Sequence, residues 1–259
     1  VKRTAREIVP YVSADENNFM RGAASTIKIK DIEITGFVSN KKVDANITSV
    51  DTSSNDDGLN SEFSSFQASG FHRTPGELAD KHVVTELNTG GHIRLNRDKF
   101  QLGATGVYTS YSGAFNPSTQ LYRNFEPTGS PFVVAGFDYQ FMIRNILGFG
   151  EVSQRLDGGN AFLNGAIISL DPRLDISVLH RHFDPSYNVP RSNAISESSR
   201  NINEDGFYVG LNSKLSSKWN FTGYFDLFSF PWMRFQAKAP SRGKEYLAQL
   251  EFKPNRNFS

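Results

Sequence analysis

Two histidines stand close together in the segment His180-Arg181-His182-Phe183-Asp184. In a strand, residues two apart point to the same side of the sheet, so His180 and His182 would share a face. Two imidazoles on one face can bind zinc, but a zinc site needs at least a third protein ligand. The sequence offers no identifiable third ligand. We therefore expect no metal and interpret the pair as rim residues near one end of a strand.

Nucleophilic catalysis would need a serine whose hydroxyl reaches a histidine. Ser177 and His180 are three residues apart, so they would lie on opposite faces of one strand. The chain has no cysteine, which removes thiol nucleophiles, disulfides and thiolate metal sites together. We predict no catalytic residues, no cofactor and no enzymatic activity. A barrel enzyme such as a lipase or protease is a third, less favoured class, with His180 and His182 as its candidates.

An acidic segment begins at Asp51 and has oxygen-bearing residues at the first, third, fifth and twelfth positions, the last being Glu62. This spacing is similar to that of a calcium-binding loop. The glycine that such a loop needs at its sixth position is replaced by Asp56, and no flanking helices are predicted. A solvated acidic loop is the favoured interpretation.

The tetrapeptide Thr74-Pro75-Gly76-Glu77 has the form of a capping box, with Thr as the N-cap, Pro at the first helical position and Glu at the third. It predicts a short helix near 75–81. The helix would lie within a long extracellular loop over 48–82 and would pack over or into the mouth of a barrel.

Alternation of apolar and polar residues, bounded by turn residues, predicts eleven strands. Many are about ten residues or longer, whereas strands of soluble sheets usually have about 5–6. The predicted spans are 20–30, 32–46, 83–96, 99–113, 132–143, 146–155, 160–170, 173–184, 206–215, 219–230 and 244–253.

The connections between these strands alternate between two classes. The short ones are 30–31, 96–98, 144–145, 171–173 and 216–218, and the others, mostly long and polar, are 48–81, 114–131, 156–159, 185–205 and 231–244. In an up-and-down sheet, each class lies at its own end of the strands. Short turns at one rim and long loops at the other are typical of the periplasmic and extracellular ends of an outer-membrane barrel.

Charged residues stand in mid-strand on nearly every polar face. Alternation alone leaves open whether the polar side faces inward, as in a membrane barrel, or outward, as in a soluble lipocalin-like barrel. Strand length and the two classes of loop favour the membrane barrel. We therefore predict an antiparallel up-and-down transmembrane β-barrel forming a single domain over 1–259. The predicted lumen-facing charges are Lys28, Glu33, Arg94, Asp138, Arg181, Asp226 and Glu251.

Composition narrows the class further. With 38% hydrophobic residues and a mean hydropathy of -0.43, the chain has no run near the ~18 apolar residues of a spanning helix. The net charge of +1 gives no basic field for nucleic acid, so nucleic-acid binding is not expected. No apolar segment follows the charges of residues 1–6, so no signal peptide is predicted. The odd strand number and the tail 252–259 predict a truncated barrel with further strands elsewhere.

Six stretches of the chain carry a resemblance to known proteins: 70–81, 150–152, 161–165, 169–173, 228–232 and 239–241. They resemble the β-barrel region of large Bacteroidota proteins described as helix-hairpin-helix domain-containing proteins. In that family a helix-hairpin-helix region precedes the barrel, so the resemblance implies an internal or C-terminal portion. The family name is similar to that of DNA-uptake proteins, but it says nothing about the barrel itself.

The function predicted first is that of a non-enzymatic structural or accessory subunit of an envelope assembly for secretion, insertion or uptake. It would lie in the cell outer membrane, in contact with outer-membrane lipid and with other envelope proteins. The alternative is a pore that passes solute or macromolecule, including DNA, with the lumen charges setting its selectivity.

Overall fold

A computed structural model describes residues 19–50, 61–67, 70–117 and 119–254. These residues form almost entirely antiparallel β-structure. The strands are β1 Gly22–Ile29, β2 Ile32–Val43, β3 Ala45–Val50, β4 Ser61–Phe66, β5 Val84–Asn96, β6 Phe100–Tyr111, β7 Ala114–Phe115, β8 Phe132–Ile143, β9 Ile146–Arg155, β10 Asn160–Asp171, β11 Leu174–Phe183, β12 Glu204–Lys214, β13 Trp219–Phe230 and β14 Ser241–Phe252. The helical elements are α1 Pro75–Ala79 and a single 3-10 turn, Leu121–Arg123.

One sheet contains eleven strands in the order β1-β2-β5-β6-β8-β9-β10-β11-β12-β13-β14. Each strand therefore lies next to the one that follows it within the sheet, as the up-and-down prediction requires. The eleven predicted strands correspond one to one with these eleven. Among the described residues, β1 and β14 each pair on one side only. The antiparallel up-and-down sheet is thus confirmed, whereas closure into a barrel stays a prediction.

The connections of this sheet alternate between short and mostly long, as predicted. The exception is 156–159, which stands in a long position but is no longer than the short connection 215–218. The two-residue turns after β1 and β8 each begin with a non-glycine residue in the left-handed region: Lys30 has φ 54° and Arg144 has φ 54°. Left-handed turn residues suit the twist of tight hairpins. Short turns and long connections therefore lie at opposite ends of the strands that they join.

The chain divides into two compact units, and the faces of the sheet can be compared within each. In the first unit (residues up to 95, 103–136 and 155–158), alternate residues of β2 differ sharply in exposure. Ile34 and Val38 are exposed, while Thr35, Ser39 and Lys41 on the other face are buried. Polar side chains are thus covered and aliphatic ones uncovered, which inverts the usual pattern of a soluble protein.

The second unit (96–102, 137–154 and 159–259) shows the same inversion. On β13, Phe225 and Leu227 are exposed while Asp226 between them is buried. On β12, Phe207 and Val209 are exposed, next to Phe225 and Leu227 in the register. We call the side of a unit that carries these exposed residues its apolar face, and the opposite side its polar face.

The long connection between β2 and β5 is more structured than predicted. It contains β3 and β4, which pair with each other, and β4 pairs in parallel with the two-residue β7. The sequence predicted one short helix in this connection and did not predict these strands. These strands escaped detection because they are short, because Ser61–Phe66 is largely polar, and because a parallel pair depends on distant chain segments.

This small sheet has an apolar core in common with the ends of the long strands. Phe63 and Ala45 are completely buried there, together with Val84 at the start of β5. The remaining buried members are Val43, Tyr111, Phe115 and Phe132. The long-connection end of the first unit is thus held together like the core of a soluble protein.

The predicted capping box is present at α1. The Thr74 hydroxyl accepts from the Glu77 backbone N–H, and the Glu77 carboxylate accepts from the backbone N–H groups of Thr74 and Arg73. These hydrogen bonds lower the pKa of Glu77, with the backbone of Arg73 as the largest cause. Across the described ranges, no helix is long and apolar enough to cross a membrane.

Candidate functional site

Arg181 lies on the polar face of β11 in the second unit, and its side chain is completely buried. In the register it stands between Leu163 of β10 and Gly206 of β12. A Cβ at position 206 would lie 2.4 Å from the guanidinium carbon of Arg181. Glycine is therefore the residue that leaves room for the guanidinium to lie flat against β12.

The guanidinium of Arg181 is surrounded by three carboxylates. Its Nε donates to Oε1 of Glu204 at 2.6 Å, and its Nη1 donates to Oδ2 of Asp226 at 2.9 Å. Its Nη2 lies 3.6 Å from Oε1 of Glu197 and makes no hydrogen bond. Paired and hydrogen-bonded charges are the form in which ions are tolerated when buried. We call these four residues the Arg181 cluster.

The Arg181 cluster carries three acidic groups for one basic group. Glu204 is completely buried and Asp226 nearly so, whereas Glu197 lies in a connection and is partly exposed. Burial raises the pKa of Glu197, and nearby Asp226 raises it further while Arg181 opposes them. A surplus of negative charge at a covered site attracts cations and repels anions.

The connection between β11 and β12 packs onto the polar face around this cluster. The backbone N–H of Glu197 donates to both carboxylate oxygens of Glu204, at 3.1 and 3.0 Å. Tyr187 donates its hydroxyl to Ser153 of β9 at 2.8 Å, and its ring packs with Ala161 and Phe183. The connection is thus a folded strap over the long-connection ends of β9 to β12.

The strap is also fixed within itself. The side chain of Asn201 accepts from the backbone N–H of Ala194 at 2.9 Å and donates to its carbonyl at 3.2 Å. Burial of the strap residue Tyr187 raises the pKa of its hydroxyl. Asn203 and Trp232 exchange hydrogen bonds through the Asn203 side chain and the Trp232 backbone at 2.7 and 2.9 Å. The strap is therefore joined to the β13–β14 connection as well.

Each predicted lumen-facing charge lies on a polar face. Asp138 is on the face opposite Phe137 and Phe141, which are exposed. Lys28, Glu33 and Arg94 are register neighbours across β1, β2 and β5 and form a row of alternating sign. Glu251 of β14 pairs with Asn220 of β13, which lies on the same face as Asp226 of that strand. That these residues face a lumen stays a prediction.

Of those predicted charges, Arg181 and Asp226 belong to the Arg181 cluster. Sequence reasoning missed Glu204 and Glu197, which complete the cluster. Glu204 stands just before the predicted start of its strand, and Glu197 lies in a polar connection. No local pattern distinguishes either residue from a solvated acid, because their burial depends on the fold of the strap.

His180 and His182 do share a face, as predicted, and it is the apolar face. His182 contacts Oδ1 of Asp205 through Nδ1 at 2.5 Å and Oδ1 of Asp184 through Nε2 at 3.0 Å. Phe162 stacks on His182 with ring centroids 5.0 Å apart. Ser177 lies on the opposite face, as expected.

No group of three metal-ligating side chains with suitable geometry occurs in the part of the chain that the structure describes. The segment that resembles a calcium loop falls mostly at 51–60, outside the described residues. In unit one, Asp44 contacts Nε2 of His72 at 2.9 Å and accepts from the backbone N–H of His82 at 2.8 Å. These two contacts hold His72, before α1, and His82, after α1, to the same carboxylate.

No family model matches the chain, and no curated protein matches it. The chain is similar to solved structures that include an outer-membrane protein and a transporter. OmpT of Vibrio cholerae, in its trimer form, is 10% identical with a TM-score of 0.32, and the match covers 90% of this chain and 89% of that one. The toluene transporter TbuX of Ralstonia pickettii is 11% identical with a TM-score of 0.32, covering 88% and 80%.

Proposed function

We propose that this chain is an integral outer-membrane protein whose sheet forms the wall of a β-barrel, with its apolar face against lipid. The observation that supports it is the inversion of polarity in both units. In water, exposing Phe207, Val209, Phe225 and Leu227 side by side, with polar and charged groups buried on the other face, would be unfavourable. Against acyl chains, the same arrangement is favourable.

The dimensions of the apolar face support this proposal. On β13 its residues run from Trp219 to Leu227, which is about 26 Å along the strand at roughly 3.3 Å per residue. A tilt of about 35–45° reduces this to roughly 20 Å, close to the ~25 Å apolar band of outer-membrane barrels. At the short-turn end of this face, Trp219 contacts Phe252, with ring centroids 4.5 Å apart. Such an aromatic pair suits a membrane interface.

Within the membrane, the chain acts as a non-enzymatic structural or accessory subunit of an envelope assembly. This role is supported by the way long connections are used. The small sheet in the first unit and the strap in the second both pack onto a polar face. A wall whose polar side is covered by folded connections suits a scaffold better than an open channel.

Membrane insertion can be tested with two neighbouring substitutions. Phe225→Lys puts a charge on the apolar face, where a cation near the bilayer midplane costs about 2–4 kcal/mol. Tyr224→Lys puts the same charge on the polar face, beside Glu245, which Tyr224 contacts. We expect folding into liposomes to fail or slow markedly for the first variant and to persist for the second. Equal behaviour of the two variants, or a detergent-free monodisperse wild type, would contradict the proposal.

The subunit role needs a separate test. Crosslinking in intact outer membranes, followed by mild solubilisation, should return partner proteins of defined stoichiometry. Recovery of this chain alone would argue against the role.

The alternative is a pore, and the charge surplus of the Arg181 cluster favours it specifically. Because Arg181 and Glu204 are completely buried, the cluster would act on a neighbouring pore through its net negative charge, and such a pore would prefer cations. Planar-bilayer recordings should then show cation-selective conductance that changes when Asp226 is replaced by Asn. Silent bilayers containing folded protein would exclude the pore.

A further inference from the structure

The chain is locally basic around the connection between β13 and β14. From Leu227 to Lys244 the sequence contains four cationic residues and no Asp or Glu, whereas the whole chain has 28 Lys and Arg against 27 Asp and Glu. The same stretch contains four aromatic residues. The cations are Arg234, Lys238, Arg242 and Lys244. Basic and aromatic residues together are typical of a surface at the headgroup level of a membrane.

Two of these cations lie on the apolar face itself. In the register, Arg242 is opposite Ser229 and Lys244 is opposite Leu227, and both cations are exposed. Two residues further along β14, Tyr246 is opposite Phe225 and is 75% exposed. The apolar face of β13 and β14 thus ends in a pair of cations next to an aromatic ring, at the long-connection end.

Acidic residues near this pair are already engaged elsewhere. Asp205 lies on the same row but is separated from Arg242 by β13, and it contacts His182 at 2.5 Å. Glu245 follows Lys244 but points to the polar face, where Tyr224 donates to it. Among the described residues, neither Arg242 nor Lys244 has a carboxylate within ion-pair distance. The pair is therefore available for an external anion.

We propose that Arg242 and Lys244 bind the phosphate group of a membrane lipid whose acyl chains lie on Tyr246, Phe225 and Leu227. A guanidinium can hold a phosphate with two parallel hydrogen bonds, and a lysine adds a point charge. Exposed Phe235 and Lys238 in the connection extend the surface toward the headgroups. This inference rests on the proposed membrane location and adds a lipid class to it.

The site can be measured with one fluorescent label. Because the chain contains no cysteine, Ser229→Cys gives a unique attachment point beside Arg242. The labelled protein is folded into phosphatidylcholine vesicles, and quenching is recorded with brominated phosphatidic acid or brominated phosphatidylcholine. We expect phosphatidic acid to bind at least about fivefold more strongly at this position, since each cation near an anionic headgroup contributes about a factor of five.

Three variants in the labelled background decide what causes the preference. Arg242→Gln with Lys244→Gln should abolish it, while Arg242→Lys with Lys244→Arg should retain most of it. Lys214→Gln removes a cation from the polar face of β12 and should leave the preference unchanged. Persistence of the preference in the glutamine variant would overturn the inference.

Further outcomes separate this inference from the proposed function. Equal quenching by both lipids would overturn the lipid site while supporting insertion. Absence of quenching by either lipid would overturn the membrane location and the site with it. Potassium phosphate that displaces the lipid better than potassium chloride of equal ionic strength would indicate a site for free phosphate and would also overturn the inference.

Discussion

Phe63 in the first unit and Arg181 in the second are both completely buried, yet opposite kinds of contact hold them. Phe63 packs among aromatic rings, with Phe115 at 5.3 Å and Tyr111 at 5.6 Å between centroids. Arg181 is held by hydrogen bonds to carboxylates. Both sites lie on a polar face near the long-connection ends of the strands.

The difference shows how one kind of strand can be stabilised in two ways. Where a connection brings its own apolar residues, as β4 brings Phe63, the hydrophobic effect stabilises the contact. Where the connection is polar, as around Glu197, paired charges do so. In both cases the apolar face of the long strands stays exposed.

The largest expected effect is at Arg181. Replacing it with Met leaves Glu204 and Asp226 buried without a cation, and breaking a buried ion pair in this way costs about 3–5 kcal/mol. Urea unfolding of the liposome-folded protein should show this loss. Arg181→Lys, which retains the charge but not the planar fork, should lose less. A Met variant as stable as wild type would show that the cluster is not structural.

A similar loss is expected at Phe63, through a different cause. Phe63→Ala removes a fully buried ring and leaves a cavity, which costs about 3–5 kcal/mol. Phe66→Ala is the matched control because Phe66 is 40% exposed, and it should cost clearly less. Equal effects at both positions would mean that the small sheet is not packed as a core.

Gly206→Ala tests the space beside Arg181 with one methyl group. Since a Cβ there lies 2.4–2.7 Å from three guanidinium atoms, the Arg181 guanidinium, which is bonded to Glu204, must shift. We expect a loss of about 1–3 kcal/mol, typical of overpacking. Gly36→Ala is the control, since a Cβ at that position meets nothing within 4 Å.

A smaller effect is expected at the cap of α1. Thr74→Ala removes the hydroxyl that accepts from Glu77, which typically costs about 1 kcal/mol. Thr74→Ser keeps that acceptor and should be near neutral. Hydrogen exchange of the Glu77 amide reports this local effect, and unchanged protection in the Ala variant would contradict the observed cap.

The smallest effect concerns pH at the strap. A carboxyl whose pKa is raised by folding binds its proton more tightly in the folded state. Glu197 therefore adds to the free energy of unfolding at low pH. This contribution is lost as the pH rises from 4.5 through the raised pKa of Glu197. Glu197→Gln should flatten the stability profile in that window. A variant with an unchanged slope would show that other groups cause the dependence.

The long strands were predictable because each carries its own alternation, as from Trp219 to Phe230. The same alternation correctly placed Arg181 and Asp226 on the polar face of their strands. The partners Glu204 and Glu197 could not be predicted, since their burial depends on how the strap folds. Likewise β7 has only two residues and exists through its pairing with β4.

The inverted polarity of the sheet is tested most directly by spin labels on single cysteines along β12 and β13. Labels at Val209, Leu211, Phe225 and Leu227 should be more accessible to oxygen than to a water-soluble nickel complex in liposomes. Labels at Tyr208, Asn212, Thr222 and Tyr224 should show the reverse or low accessibility to both. A two-residue period in these values is the predicted result. Equal accessibility along both strands, or nickel contact at Val209 and Phe225, would contradict a lipid-facing apolar surface.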